Sequence, residues 1–190
     1  MGIFNHSRRG SGNNITGCPT SVGTIELEGR KGCFYTFCMH EIDVLDKDID
    51  ISDKLDKSRK LNEYGEGPFC IFRINNHLKD KGLYCYIVNG ELKYIGETCK
   101  TYEDRINNGY GRIYARNCYK TEIIGGEKHS GGQSTNCRIN SLINEELHNG
   151  NDILIGFHVM NDSNDGEIKS LESFLIEKYD LDRFGWNKKR

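Results

Sequence analysis

Two apolar runs, Gly82–Val88 and Leu92–Glu97, flank the dipeptide Asn89-Gly90. Asn-Gly is a strong two-residue turn signal, so the runs predict a β-hairpin. Thr101 follows as a helix cap, with Asp104 at the third helical position, and predicts a helix through about Asn107. The apolar positions of 138–147 predict a second helix, 152–160 a strand, and the stripe Ile168, Leu171, Leu175 and Ile176 a third helix over 168–179. Residues 108–135 are rich in Gly and polar residues and predict a loop.

Upstream, TIELEG (24–29), CFYTFCMHEIDVL (33–45) and PFCIFRI (68–74) are rich in β-branched and aromatic residues and predict strands. Ser52 is placed to cap a helix over 52–64. Residues 1–23 are rich in Gly, Ser and Asn and predict a loose arm. The fold class expected is α+β. An N-terminal β-rich extension (1–79) precedes a second part (80–190) with a Gly-rich basic insertion at 108–136.

At 190 residues, with 28% charged and 10% aromatic side chains, the chain can bury a core and does not have a disordered composition. It has no apolar run of about 18 residues, which argues against a membrane span. The start MGIFNHSRRGSG has no apolar signal core, so a cytoplasmic protein is expected. In that setting the eight cysteines read as reduced, mostly buried small hydrophobes.

The net charge of −2 does not announce a polyanion partner, but its distribution changes the picture. From Arg105 to Asn140 there are six bases (Arg105, Arg112, Arg116, Lys120, Lys128, Arg138) against two acids, Glu122 and Glu127. A near-neutral protein with one basic segment can bind a polyanion locally. Other sites are weaker. Cys33, Cys38 and His40, with Cys18 as a fourth ligand, lack a paired zinc knuckle. The run from Asp46 has Ile51 where a calcium loop needs Gly.

Tyr84 and Tyr94 lie ten residues apart on the two hairpin strands, and Arg105 lies eleven beyond. Glu172 interrupts the apolar stripe of the last helix, and Asn187 follows fifteen residues later. Gly82-Leu83-Tyr84 and Tyr94-Ile95-Gly96 resemble the two halves of the GIY-YIG nuclease motif, the first in a variant form. The resemblance covers about residues 80–190. The segment Arg116–Asn140 further resembles the Type II restriction endonuclease branch of that superfamily.

The resemblance implies a small three-stranded antiparallel sheet flanked by helices, and a sequence-specific endonuclease that hydrolyses phosphodiesters in duplex DNA. It implies Glu172 as the single protein ligand of one Mg²⁺ (or Mn²⁺), an ion that keeps most of its water. Arg105 would stabilise the charge on phosphorus. Tyr84 would take the proton from the attacking water, which requires cations beside a phenol whose ordinary pKa is about 10. Tyr94 would hydrogen-bond the phosphate or a water. Asn187 would orient the metal ligand or pin the tail. The family commonly has His or Tyr four residues after the arginine. Here that position is Gly109, so either Tyr110 fills the role from the next position or the role is absent.

Arg112, Arg116, Lys120 and Arg138, with Gln133 and Asn136, are the candidate DNA contacts. One active site cuts one strand, so a double-strand break favours a homodimer or sequential nicking by a monomer. A restriction role implies a methyltransferase acting on the same site. Alternatives are a homing or repair type of the same core, or a non-catalytic DNA-binding protein on a decayed nuclease core.

Overall fold

The computed structural model describes residues 21–188. The expected arm therefore lies outside the described residues except for 21–23. The protein is α+β. Its main sheet has five antiparallel strands, not three: β1 (Gly23–Glu28), β2 (Phe34–Glu41), β9 (Ile153–Val159), β5 (Gly82–Val88) and β6 (Glu91–Thr98), in that spatial order. The three C-terminal strands form one side of this sheet, and β1 and β2 of the N-terminal extension continue it through β2–β9 pairing.

The β5–β6 hairpin forms as its turn residues dictate. Val88 pairs with Glu91, and Asn89 and Gly90 both take positive φ (48° and 82°). That geometry matches the twist of the strands. A bulge follows: Tyr86 pairs with Tyr94 but Ile87 with Leu92, leaving Lys93 as the extra residue.

Alternation then divides the core into two. Tyr84, Tyr86 and Tyr94 face a cluster with Tyr102, Ile106, Tyr110, Ile139 and Phe157. Leu83, Cys85 and Ile95 face the other way, against Ile168 and Leu175 of α3 (Asp165–Lys178). Helix α2 (Ser134–His148) covers the tyrosine face and α3 the opposite one. The register of α3 is set by a capping box, in which Asn164 Oδ1 accepts from the Glu167 amide and Glu167 returns the contact at 3.0 Å.

Several expectations are corrected. The run 33–45 is two strands, β2 and β3 (Asp43–Ile49), and β3 pairs with β4 (Phe69–Arg73) in a separate ribbon. The helix expected over 52–64 is only a 3₁₀ turn, Ser52–Lys54. Asp50 and Asp56 accept hydrogen bonds from the amides of Ser52 and Ser58, and such local turns compete with helix. The expected loop 108–135 contains a short helix α1 (Ala115–Cys118) and a hairpin of β7 (Glu122–Ile124) and β8 (Glu127–His129). Helix α2 begins four residues before its expected start. Cys38 is disulfide-bonded, against the expectation of reduced thiols; Cys33, Cys70, Cys85, Cys99, Cys118 and Cys137 are free. Among the described residues, no helix is long and apolar enough to cross a membrane.

The segment after β6 is a π-helix, Glu103–Tyr110, rather than an α-helix. The Gly111 amide donates to the Ile106 carbonyl five residues back. Two contacts fix this end against β4. The Asn107 side chain bonds both the amide and the carbonyl of Ile74, and the Phe72 amide donates to the Gly111 carbonyl. Asn140 of α2, fully buried, donates to the Tyr110 and Cys70 carbonyls and accepts from the Cys70 amide.

The buried Tyr86 hydroxyl has no hydrogen-bond partner among the described residues. An unsatisfied buried hydroxyl carries a desolvation cost of about 1–3 kcal/mol. Tyr86→Phe is therefore expected to leave the protein as stable as the parent or more so. A clear fall in its urea midpoint would contradict this.

Candidate active site

Strand β5 carries Tyr84 inward at full burial, and β6 carries Tyr94 to the same face at 5% exposure. Each glycine of the motif has a steric reason. Gly82 sits at φ +139°, and a Cβ there would lie 2.4 Å from the His158 carbonyl oxygen. A Cβ on Gly96 would lie 2.5 Å from the Tyr84 Cζ and Oη, so only glycine lets that ring lie flat on β6. Gly96→Ala must displace the Tyr84 ring. The expected cost is about 1–3 kcal/mol, as for other overpacking changes. It should appear as a lower urea midpoint at an unchanged m-value; an unchanged midpoint would refute the steric reading.

The π-helix decides what Arg105 touches. Its wider turn brings residues five apart onto one face, so Tyr110 lies beside Arg105 although Gly109 occupies the expected position. Arg105 Nη2 donates to Tyr110 Oη at 2.5 Å and Nε donates to Tyr84 Oη at 3.1 Å. Tyr110 Oη is also 2.9 Å from Tyr84 Oη and 3.1 Å from Tyr94 Oη. Three phenols and one guanidinium thus form a single hydrogen-bonded group. Tyr110 takes part in it, which answers the question raised by Gly109.

Arg105 Nη1 donates to Gln133 Oε1 (3.3 Å) and Asn136 Oδ1 (3.4 Å). None of these partners is a carboxylate. Gln133 and the buried Asn136, expected as DNA contacts, instead hold this guanidinium from the start of α2. The cleft beside Arg105 has a volume of about 590 Å³, and its charged lining is Lys100, Arg105 and Arg116 against Asp104 alone. Its net charge is positive.

The cation expected beside the Tyr84 phenol is Arg105, which pulls it down, yet the net shift is upward. Burial pushes it up and Tyr94 adds to the rise, while Arg105 and the Tyr110 hydrogen bond offset only part. Burial raises Tyr110 well above its ordinary value as well. Both rises favour the protonated phenol, and both hydroxyls accept hydrogen bonds from Arg105.

Glu172 is 3% exposed on the buried stripe of α3, between Ile168 and Leu175. Its helix packs on β6 and β5 from the face opposite the tyrosines. Asn187 pins the C-terminal tail to the edge of β6: its Oδ1 accepts from the Ile95 amide at 3.1 Å and its Nδ2 donates to the Ile95 carbonyl at 2.7 Å. The structure therefore joins Tyr84, Tyr94, Arg105 and Tyr110 by direct contact. The helix of Glu172 and the tail of Asn187 meet the same strand, β6, at its other face and its edge.

Arg138 leaves the set of candidate DNA contacts. It is 8% exposed, and its Nη1 donates to the Trp186 carbonyl, which ties α2 to the C-terminal tail. Arg112, Arg116 and Lys120 are exposed. Tyr114, which the sequence reading passed over, lies between Arg112 and Arg116, at 41% exposure. The alternation of Arg and Tyr over 112–116 was its visible signal.

No group of three or more His, Cys, Asp or Glu side chains gathers among the described residues. One buried carboxylate does not suit zinc, which takes three or four protein ligands. A carboxylate oxygen is the donor that Mg²⁺ or Mn²⁺ takes, hard ions that retain water and accept further oxygens from phosphate, but Glu172 is not among the residues that line the Arg105 cleft. Comparison of the chain with protein-family models, curated proteins and solved structures matched none of them.

Proposed function

We propose that the chain is a metal-dependent DNA endonuclease of the GIY-YIG kind, most like its Type II restriction branch. The observation that carries this reading is the setting of Arg105. Its guanidinium is held in a net-positive cleft by phenols and amide oxygens, and among the described residues no carboxylate pairs with it. A guanidinium so held keeps its positive charge facing the cleft, and that charge suits a phosphodiester oxygen better than any neutral substrate.

Arg105 binds the scissile phosphate and stabilises the charge that builds on phosphorus as water attacks. Tyr84 and Tyr110 fix the guanidinium plane, and Tyr94 completes the hydroxyl group beside it. By the resemblance Glu172 would hold the Mg²⁺ from the far side of β6, and that ion when bound would supply Lewis-acid stabilisation of the phosphate and the leaving oxygen. Asn187 keeps the tail on β6, next to Gly96 and the Tyr84 ring.

The partner is double-stranded DNA, cut at a specific sequence. A homodimer would place two such sites on a palindrome, and a methyltransferase acting on that sequence would protect the host. Incubation of supercoiled plasmid with the protein and Mg²⁺ tests the reading. Conversion to nicked and linear forms, stopped by EDTA, is expected. A plasmid left supercoiled at all metal concentrations would overturn it.

A further inference from the structure

Tyr114 stands at the head of α1, where the backbone is fixed. Its amide donates to Asn117 Oδ1 at 3.0 Å, and its carbonyl accepts from the Asn117 amide at 2.8 Å. The ring makes none of these bonds and is 41% exposed. The Arg112 guanidinium lies 5.5 Å from its centroid and that of Arg116 5.0 Å. Among the described residues neither guanidinium has a hydrogen bond or a carboxylate partner. Elsewhere in the protein Arg59 pairs with Glu122 and Arg73 with Asp43, whereas these two arginines lack such an acid among the described residues. Arg116 lines the same cleft as Arg105.

An exposed ring between two uncompensated guanidiniums is a poor device for stability. Exposed cation–π pairs contribute about 0.5–1 kcal/mol each, and the two cations repel. It suits a ligand that offers both phosphates and flat apolar surface. We propose that Arg112, Tyr114 and Arg116 form a DNA-docking ridge beside the catalytic cleft, with the two arginines on phosphates flanking the cut and the Tyr114 ring against a base or sugar. The inference rests on the nuclease reading and extends it to how the duplex is seated.

The test measures binding of labelled duplex DNA by fluorescence anisotropy from low to moderate KCl, using the full chain with Glu172→Gln to prevent cutting. Each phosphate contact contributes about 0.9 to the slope of log affinity against log salt, so Arg112→Gln with Arg116→Gln should flatten it by about 2. Tyr114→Ala should weaken binding roughly 5- to 100-fold with little change in slope, the size of a lost aromatic–base contact. Tyr114→Phe should keep the parent affinity. Variants are first matched to the parent by thermal melt, and Tyr114→Ala keeps the backbone cap.

Parent-like affinity and slope in both Tyr114→Ala and the double arginine variant would sink the ridge while leaving the nuclease reading intact. A Glu172→Gln parent that binds no duplex at low salt would sink both.

Discussion

Arg105→Ala is expected to lower the cleavage rate by roughly 10²- to 10³-fold or more, the usual cost of removing a preorganised donor from a charge-developing centre. The guanidinium has four partners: Tyr84 and Tyr110 through two hydroxyls, Gln133 and Asn136 through two amide oxygens. None of them can replace its charge. Arg105→Lys discriminates between charge and shape. An ammonium keeps the positive charge but cannot span Tyr84 and Tyr110 with a planar fork. It should recover only part of the rate, with the loss in kcat rather than KM, because the fork acts where charge develops. Full activity in the lysine variant would reduce Arg105 to a general electrostatic role, and full activity in the alanine variant would remove it from the site.

Glu172→Gln should abolish metal-dependent cleavage, by about 10³-fold or more, and leave duplex binding in place. The amide keeps the volume of the side chain on a stripe whose neighbours Ile168 and Leu175 are fully buried, so the helix still packs. It removes the anionic oxygen that a hard divalent ion requires. Rate against Mg²⁺ concentration is the informative profile: the variant should not reach the parent rate at any concentration. Equal rates at saturating Mg²⁺ would show that the carboxylate is not the ligand on which cleavage depends. Loss of activity with a collapsed melting transition would instead make Glu172 a structural residue.

The hairpin was legible because its turn chemistry is local: Asn89-Gly90 takes the positive φ that the two-residue loop demands. The third helix and its buried carboxylate followed from a 3.6-residue stripe. The π-helix was not legible, since its register is imposed from outside by Asn107 on Ile74 and by Phe72 on Gly111. For the same reason the spacing left open whether Tyr110 fills the role that Gly109 cannot, until the π-helix put it beside Arg105. The helix expected over 52–64 failed for the opposite reason, because Asp50 and Asp56 satisfy nearby amides and local turns win.

Sequence spacing also misjudged which polar residues are available. Arg138 looked like surface charge but is buried on the Trp186 carbonyl, and Asn136, expected on DNA, holds Arg105 instead. The resemblance makes Tyr84 a base, a role that requires cations to lower its phenol. Its full burial outweighs the one arginine that is there. Burial is a tertiary property, set by β6, the π-helix and α2 together, and no single segment displays it.

Digestion of phage and plasmid DNA with Mg²⁺, by the parent protein beside Glu172→Ala, decides whether the chain is a sequence-specific metal nuclease. Discrete fragments with defined ends are expected from the parent and intact DNA from the variant. Intact DNA from both, with duplex binding retained, would contradict the nuclease reading and leave a DNA-binding protein whose tyrosine–arginine group no longer cuts.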